Sequence, residues 1–138
     1  MRLWHYELIP VLPNKMLVSQ WRELIAIKRQ WEKETLIHPL VRYVKEYSKD
    51  YFAYYVHHVY SEMLKRNIKC KDSYMEEIIS FCRYRLWQEN LNYSEHNQEY
   101  LFICYYNLKE KYLRGIINPT EWDLIESKVG KTLWLEKK

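Results

Sequence analysis

The chain has 138 residues, enough for one domain with a buried core, and its 22 Lys and Arg exceed its 18 Asp and Glu to leave a net charge of +4. Two Gly and four Pro are too few for the turns of an all-β fold. No apolar run approaches the ~20 residues that span a bilayer and nothing resembles a signal peptide, so a soluble, cytoplasmic protein without membrane contact is expected.

Taken in chain order, "MRLW" opens the sequence with an apolar end that reads as docked against the protein. Pro10 and Pro13 bracket "PVLP", and Asn14 is expected to cap a helix running to about Trp31. At 100° per residue, Leu17, Val18, Trp21, Leu24 and Ile25 share one side, flanked by Ile27 and Trp31. Lys15, Ser19, Arg22, Glu23, Ala26 and Arg29 fall opposite, so that one carboxylate stands among three cations. Pro39 marks a possible helix start, and a longer helix follows from about Ser48 to Arg66, with Tyr51, Tyr55, Val59 and Met63 at i+4 steps. The basic cluster Lys65, Arg66, Lys69 and Lys71 ends it. Ser73 and Glu76 fit a capping box for a helix toward Gln88. Ser94 is expected to cap the next, which Gly115 closes as a C′ glycine. Thr120 is expected to start a short last helix stopped by Gly130. Residues 1–138 therefore read as one all-α domain, a compact bundle of about four to six helices.

Cys70, Cys82 and Cys104 are odd in number and lack a C-x-x-C spacing, and His57 and His58 are adjacent, which suits two ligands on one helix face poorly. Neither a disulfide framework nor a metal site is expected. With 14 Tyr and 6 Trp, the chain interleaves aromatic and basic side chains, a composition suited to phosphate contacts and base stacking as well as to an aromatic core. The aromatic run "YFAYYVHHVY" reads as helix packing, His38 and His96 as cap or core hydrogen-bonding residues, and Trp134 as packing onto the first helix or wedging into DNA.

The terminal amine has chemistry of its own. An α-amine titrates at about 7.7–8.0, against about 10.4 for Lys, so at neutral pH it supplies far more neutral nucleophile. A carboxylate beside it shuttles protons and stabilises a developing cation, the requirements of imine formation at a sugar C1′.

The start "MRLWHYELIPVLPNKMLVSQWREL" resembles the pyrimidine-dimer DNA glycosylase family, the phage endonuclease V family. Its pattern is an N-terminal residue, Arg and an aliphatic, then an "L…L…[YW]REL" helix. "LKRNIKCKD" is similar to the segment after that family's second long helix, and "YSEHNQEYLFICYYNLKEKYLRG" resembles a block in bacterial relatives that share "MRLWH". The resemblance implies a compact helical protein that binds damaged duplex DNA, attacks C1′ with its N-terminal amine, forms a Schiff base and nicks the strand by β-elimination, without metal or cofactor. It matches Glu23 to the family's essential glutamate and Arg22 to its phosphate-contacting arginine. Met1 would supply the amine, because Arg2 is too large for removal of the initiator Met. Arg2, Arg22 and Arg29 would hold phosphates beside the lesion, with Lys15, Lys65, Arg66, Lys69 and Lys71 as further DNA contacts. Met16 stands where the family has a His, Ala26 where it has an Arg, and Met1 where it has a small Thr; these departures bear on lesion choice more than on the amine chemistry. The expected partner is double-stranded DNA with a damaged or modified base, acted on by a monomer. The other readings are a helical module of the same fold that binds DNA without cutting it, or one that binds a protein.

Overall fold

The computed structural model describes residues 1–83 and 90–130, and among them it is helical with no strand. Five α-helices run Asn14–Glu32 (α1), Lys49–Lys65 (α2), Asp72–Cys82 (α3), Gln98–Leu113 (α4) and Pro119–Ile125 (α5). Short 3-10 turns at Tyr6–Val11 and Arg42–Glu46 precede α1 and α2, and a π turn at Glu126–Gly130 extends α5. The all-α expectation holds. The expected reach of the third helix to Gln88, and Trp134, lie outside the described residues.

The helix ends differ from the sequence reading in instructive ways. Pro13 occupies the N-cap of α1, and Asn14 is its first residue. The Asn14 side chain is spent elsewhere, accepting from Arg66 at 2.9 Å. No capping box forms at Ser73: α3 begins at Asp72 with no side-chain cap. Asn97, not Ser94, caps α4 by accepting the Tyr100 N–H at 2.9 Å, while the Ser94 hydroxyl pairs with Tyr47 at 2.6 Å. Asn118, not Thr120, opens α5 through a reciprocal capping box with Glu121, and Pro119 follows at the first helical position. At α4 and α5 an Asn close by competed with the expected Ser or Thr, and its amide oxygen reached the free N–H groups. Gly115 behaves as expected: at φ +79° it closes α4 with the paired bonds Gly115 N–H to Tyr112 O and Ile116 N–H to Lys111 O.

Packing follows from the stripes. Leu17, Trp21, Leu24 and Ile25 of α1 are buried with Phe52, Tyr55, Val56, Val59 and Met63 of α2. The two helices run antiparallel, since the end of α1 meets the start of α2 through Trp31 and Phe52, and the end of α2 meets the start of α1 through Arg66 and Asn14. Ile27 is fully buried because α3 packs on a second side of α1, with Phe81 edge-on to Trp31 at 5.4 Å. Lys28 is drawn into that seam, almost wholly buried, and reaches Glu32 at 3.0 Å and Glu77 at 3.2 Å.

Arg66 departs from its expected role as a phosphate contact. Its guanidinium is turned inward and donates to Glu62, to the carbonyls of Ile9, Pro10 and Leu12, and to Asn14 Oδ1. It clamps the stretch between the first 3-10 turn and α1 onto the last turn of α2. Arg66→Ala strands these acceptors and leaves the half-buried Glu62 carboxylate alone, so a loss of about 3 kcal/mol is expected by urea denaturation.

The end of α1 also sets the path of the next segment. Glu34 sits in the left-handed region at φ +60°, with Glu34 N–H bonded to Trp31 O and Thr35 N–H to Gln30 O. This paired-bond stop is usually built on Gly, and it reverses the chain so that it folds back along α1.

Candidate active site

The first residues lie over α1, held by the buried Gln20 amide and by two tyrosine hydroxyls. Gln20 is one turn before Glu23 and its side chain points under the N-terminal segment. Its Oε1 accepts the Trp4 N–H at 2.8 Å, and its Nε2 donates to the Arg2 carbonyl at 3.1 Å and to Glu23 Oε2 at 3.3 Å. Tyr55 of α2 donates to the Trp4 carbonyl at 2.6 Å and sits 3.0 Å from Gln20 Oε1. Tyr100 of α4 donates to the Leu3 carbonyl at 2.5 Å. Leu3, Trp4 and His5 are buried as a result.

Glu23 is half-buried beneath that end. Burial raises its carboxyl above the ordinary value, and the Met1 amine, the Arg2 backbone N–H and His38 pull it back down. The amine thus lies within electrostatic reach of the carboxylate, although among the described residues it makes no ion pair at 4.0 Å or less.

Behind the segment lies a cluster of rings. His5 stacks on Tyr6 at 4.6 Å and on His96 at 5.6 Å, and His96 Nε2 pairs with the Tyr43 hydroxyl at 2.7 Å. His5 Nδ1 also accepts the Glu7 N–H at 3.1 Å, opening the first 3-10 turn. Burial holds both histidines below their ordinary value; His96, also opposed by His5, falls to about 3. The unfolded chain takes these protons near pH 6.5, whereas folded His96 refuses its proton until far lower. Stability is therefore full above about pH 6.5 and declines as pH falls toward 3. Between pH 7 and pH 5 a loss of about 2 kcal/mol is expected from His96 alone, measurable as a drop in the urea midpoint.

The other expected DNA contacts are distributed unevenly. Arg22 is exposed next to Glu23 and makes no ion pair among the described residues. Arg2 points partly inward, its guanidinium 5.8 Å over the Trp4 ring and beside the Tyr100 hydroxyl and Cys104 thiol. Arg29 is paired with Glu77 at 3.1 and 3.2 Å. Lys15 donates to the Ile116 carbonyl. Lys65 and Lys69 are exposed at the far end of α2, and Lys71 lies 5.3 Å over the Tyr74 ring. Met1, Arg2, Arg22 and Glu23 are thus brought together, while Lys65, Lys69 and Lys71 form a separate basic end. His38 accepts the Leu40 N–H at 3.2 Å through Nδ1, a local loop bond, and its charge reaches Glu23. Gln20, Tyr55 and Tyr100 are the site residues that sequence reasoning missed. For Gln20 a signal existed: an amide three residues before Glu23, on the same helix flank. Among the described residues no group of His, Cys, Asp or Glu is placed to hold a metal, and no helix is long and apolar enough to cross a membrane.

Among the described residues the chain is all-α, with its N-terminal segment bound over a half-buried glutamate and an exposed arginine beside it. Residues 1–76 match the family described as pyrimidine dimer DNA glycosylase, and the chain belongs to that family. The match spans the docked segment, α1, α2 and the start of α3, and does not extend over the block at residues 93–115. No curated protein and no solved structure matches the chain. The family implies a DNA substrate.

Proposed function

We propose that the protein is a DNA glycosylase with associated abasic-site lyase activity, acting on a damaged or modified pyrimidine nucleotide. The observation that carries this reading is the docking of the Met1 end over Glu23 through Gln20. The neutral Met1 amine attacks C1′ as the glycosidic bond breaks, and the base leaves with the bonding pair and takes up a proton from solvent. The Glu23 carboxylate takes one proton from the ammonium so formed and returns it to O4′ as the nitrogen lone pair opens the ring, so that the positively charged imine stands beside the carboxylate that remains. Loss of a C2′ proton to Glu23 or water expels the 3′ phosphate, which nicks the strand. A raised carboxyl suits this proton traffic, because it holds and releases a proton more readily near neutrality than an ordinary one. Arg22 is the exposed cation placed to hold a phosphate beside the reacting sugar.

Borohydride trapping on duplex DNA with one abasic site tests the reading, using untagged protein and an N-acetylated control. A covalent adduct is expected with the free amine and none after acetylation. Salt-sensitive binding without any adduct would make the chain a DNA-binding module of the same helical fold.

A further inference from the structure

The loop from Thr35 to Val41 is held at both ends and exposes apolar side chains between them. Leu36 and Val41 are buried, at 1% and 0% exposure, whereas Ile37 and Leu40 stand 75% and 45% exposed. The backbone between them is fixed. The left-handed Glu34 stop sets its entry, Pro39 restricts φ, and the Val41 and Arg42 N–H groups both bond to the His38 carbonyl at 3.1 and 2.9 Å. The His38 Nδ1 bond to the Leu40 N–H ties the tip to itself. A rigid loop with two large apolar side chains in water is an arrangement that folding alone does not call for; Ile37 contributes little to the core.

Its position gives it a use. His38, between the two exposed residues, lies within electrostatic reach of Glu23. Exposed Arg42 adjoins the loop through its N–H bond to the His38 carbonyl and exposed Arg22 stands next to Glu23, while on the Leu36 side Lys45 and Lys49 share a cavity with Glu32 and Glu34. Apolar side chains flanked by cations suit a duplex, whose phosphates take the charge and whose base steps accept an apolar wedge.

We propose that Ile37, supported by Leu40, is a wedge that enters the base stack beside the target nucleotide and holds it open for attack. This rests on the glycosylase reading, because it places the loop against DNA. Inserting Ile37 fills the space that the displaced nucleotide leaves, and the rigid loop loses little conformational freedom in doing so. The consequence is a preference for sites whose stacking is already weakened by damage, since less stacking must then be broken.

The test uses the full chain and two DNAs. The first is a duplex bearing a stable abasic-site analogue with 2-aminopurine as the adjoining base; the second is a single strand with a reactive abasic site, which has no stack to open. Saturating wild-type protein is expected to raise 2-aminopurine fluorescence several-fold. Ile37→Ser with Leu40→Ser is expected to lose most of that rise and to weaken duplex binding at least tenfold, while borohydride trapping on the single strand stays within about twofold. Both positions are exposed, so the variants are expected to fold; a matched urea midpoint checks this, and Ile37→Ala repeats the measurement at lower risk. An undiminished fluorescence rise in these variants overturns the wedge. So does a loss of binding to an unrelated protein surface with DNA behaviour unchanged, which would make the loop a protein-docking tip. Failure of the wild type to trap on the single strand overturns the glycosylase reading itself, whatever the fluorescence shows.

Discussion

Glu23→Gln is expected to bind damaged duplex within about threefold of the wild type and to nick it about 10²–10⁴ times more slowly. The substitution keeps the size and the hydrogen-bonding reach of the side chain, so Gln20 Nε2 retains an oxygen to donate to. What disappears is the ability to give and take a proton and the negative charge that steadies an iminium. Single-turnover nicking, read beside a binding isotherm at fixed salt, separates the two effects. The same variant is expected to melt higher at pH 7. A carboxyl raised in the folded state stabilises it below the unfolded value and loses that contribution as pH rises through the folded value. At neutral pH the ionised Glu23 is therefore a burden that the neutral amide removes. A rise in melting temperature alongside lost activity is the expected signature of a reactive group held against the preference of the fold. Equal nicking by the variant would remove Glu23 from the chemistry.

Gln20→Ala carries the second large effect. Its amide serves three partners: the Trp4 N–H, the Arg2 carbonyl and Glu23, with the Tyr55 hydroxyl close by. Without it the buried Trp4 N–H and the Arg2 carbonyl lose their partners, at about 1–3 kcal/mol for each group left unsatisfied. Tyr55 still holds the Trp4 carbonyl and Tyr100 the Leu3 carbonyl, so the segment loosens without leaving. Amide exchange at Trp4 is expected to accelerate strongly, whereas amides in the middle of α2 keep their protection more nearly intact. Nicking is expected to fall by about 10²-fold, because displacement of a reacting group by about 1 Å is enough for that. Exchange that accelerates everywhere equally would mean that Gln20 supports the whole fold rather than the chain end.

Much of this was legible from side chains, and little from what backbone does. The apolar stripe of α1 was readable because it depends on periodicity, whereas the pairing of the Met1 amine with Glu23 rested on the family resemblance, since intrinsic pKa says only that such an amine suits the chemistry. Glu23 and Ala26 fall opposite the apolar stripe of α1, yet both are half-buried, and at Glu23 the N-terminal segment returns to that flank. Lys28 carries no mark of burial in the sequence, and the approach of α3 with Glu77 takes it inside. Arg66 shows the limit most clearly. Three of its acceptors are main-chain carbonyls of Ile9, Pro10 and Leu12, which carry no mark in a sequence, so its charge pointed to phosphate when its geometry pointed inward. The ring cluster behind the segment was equally hidden. His5 and His96 stand far apart in the chain, and only the arrival of α4 makes neighbours of them.

The bond from Tyr100 to the Leu3 carbonyl joins residues 97 positions apart, and the Arg66 clamp reaches back 52 to 57 positions. On the ribosome, residues 1–5 emerge long before either partner exists. At about 5–20 residues per second, the segment waits several seconds for Arg66 and longer for Tyr100. During that interval Glu23 and the amine have no fixed relation, so on the proposed reading a nascent chain is not yet competent. The part of the molecule that is synthesised first is the last to be assembled, so competence arrives only with a chain that has been translated past α4.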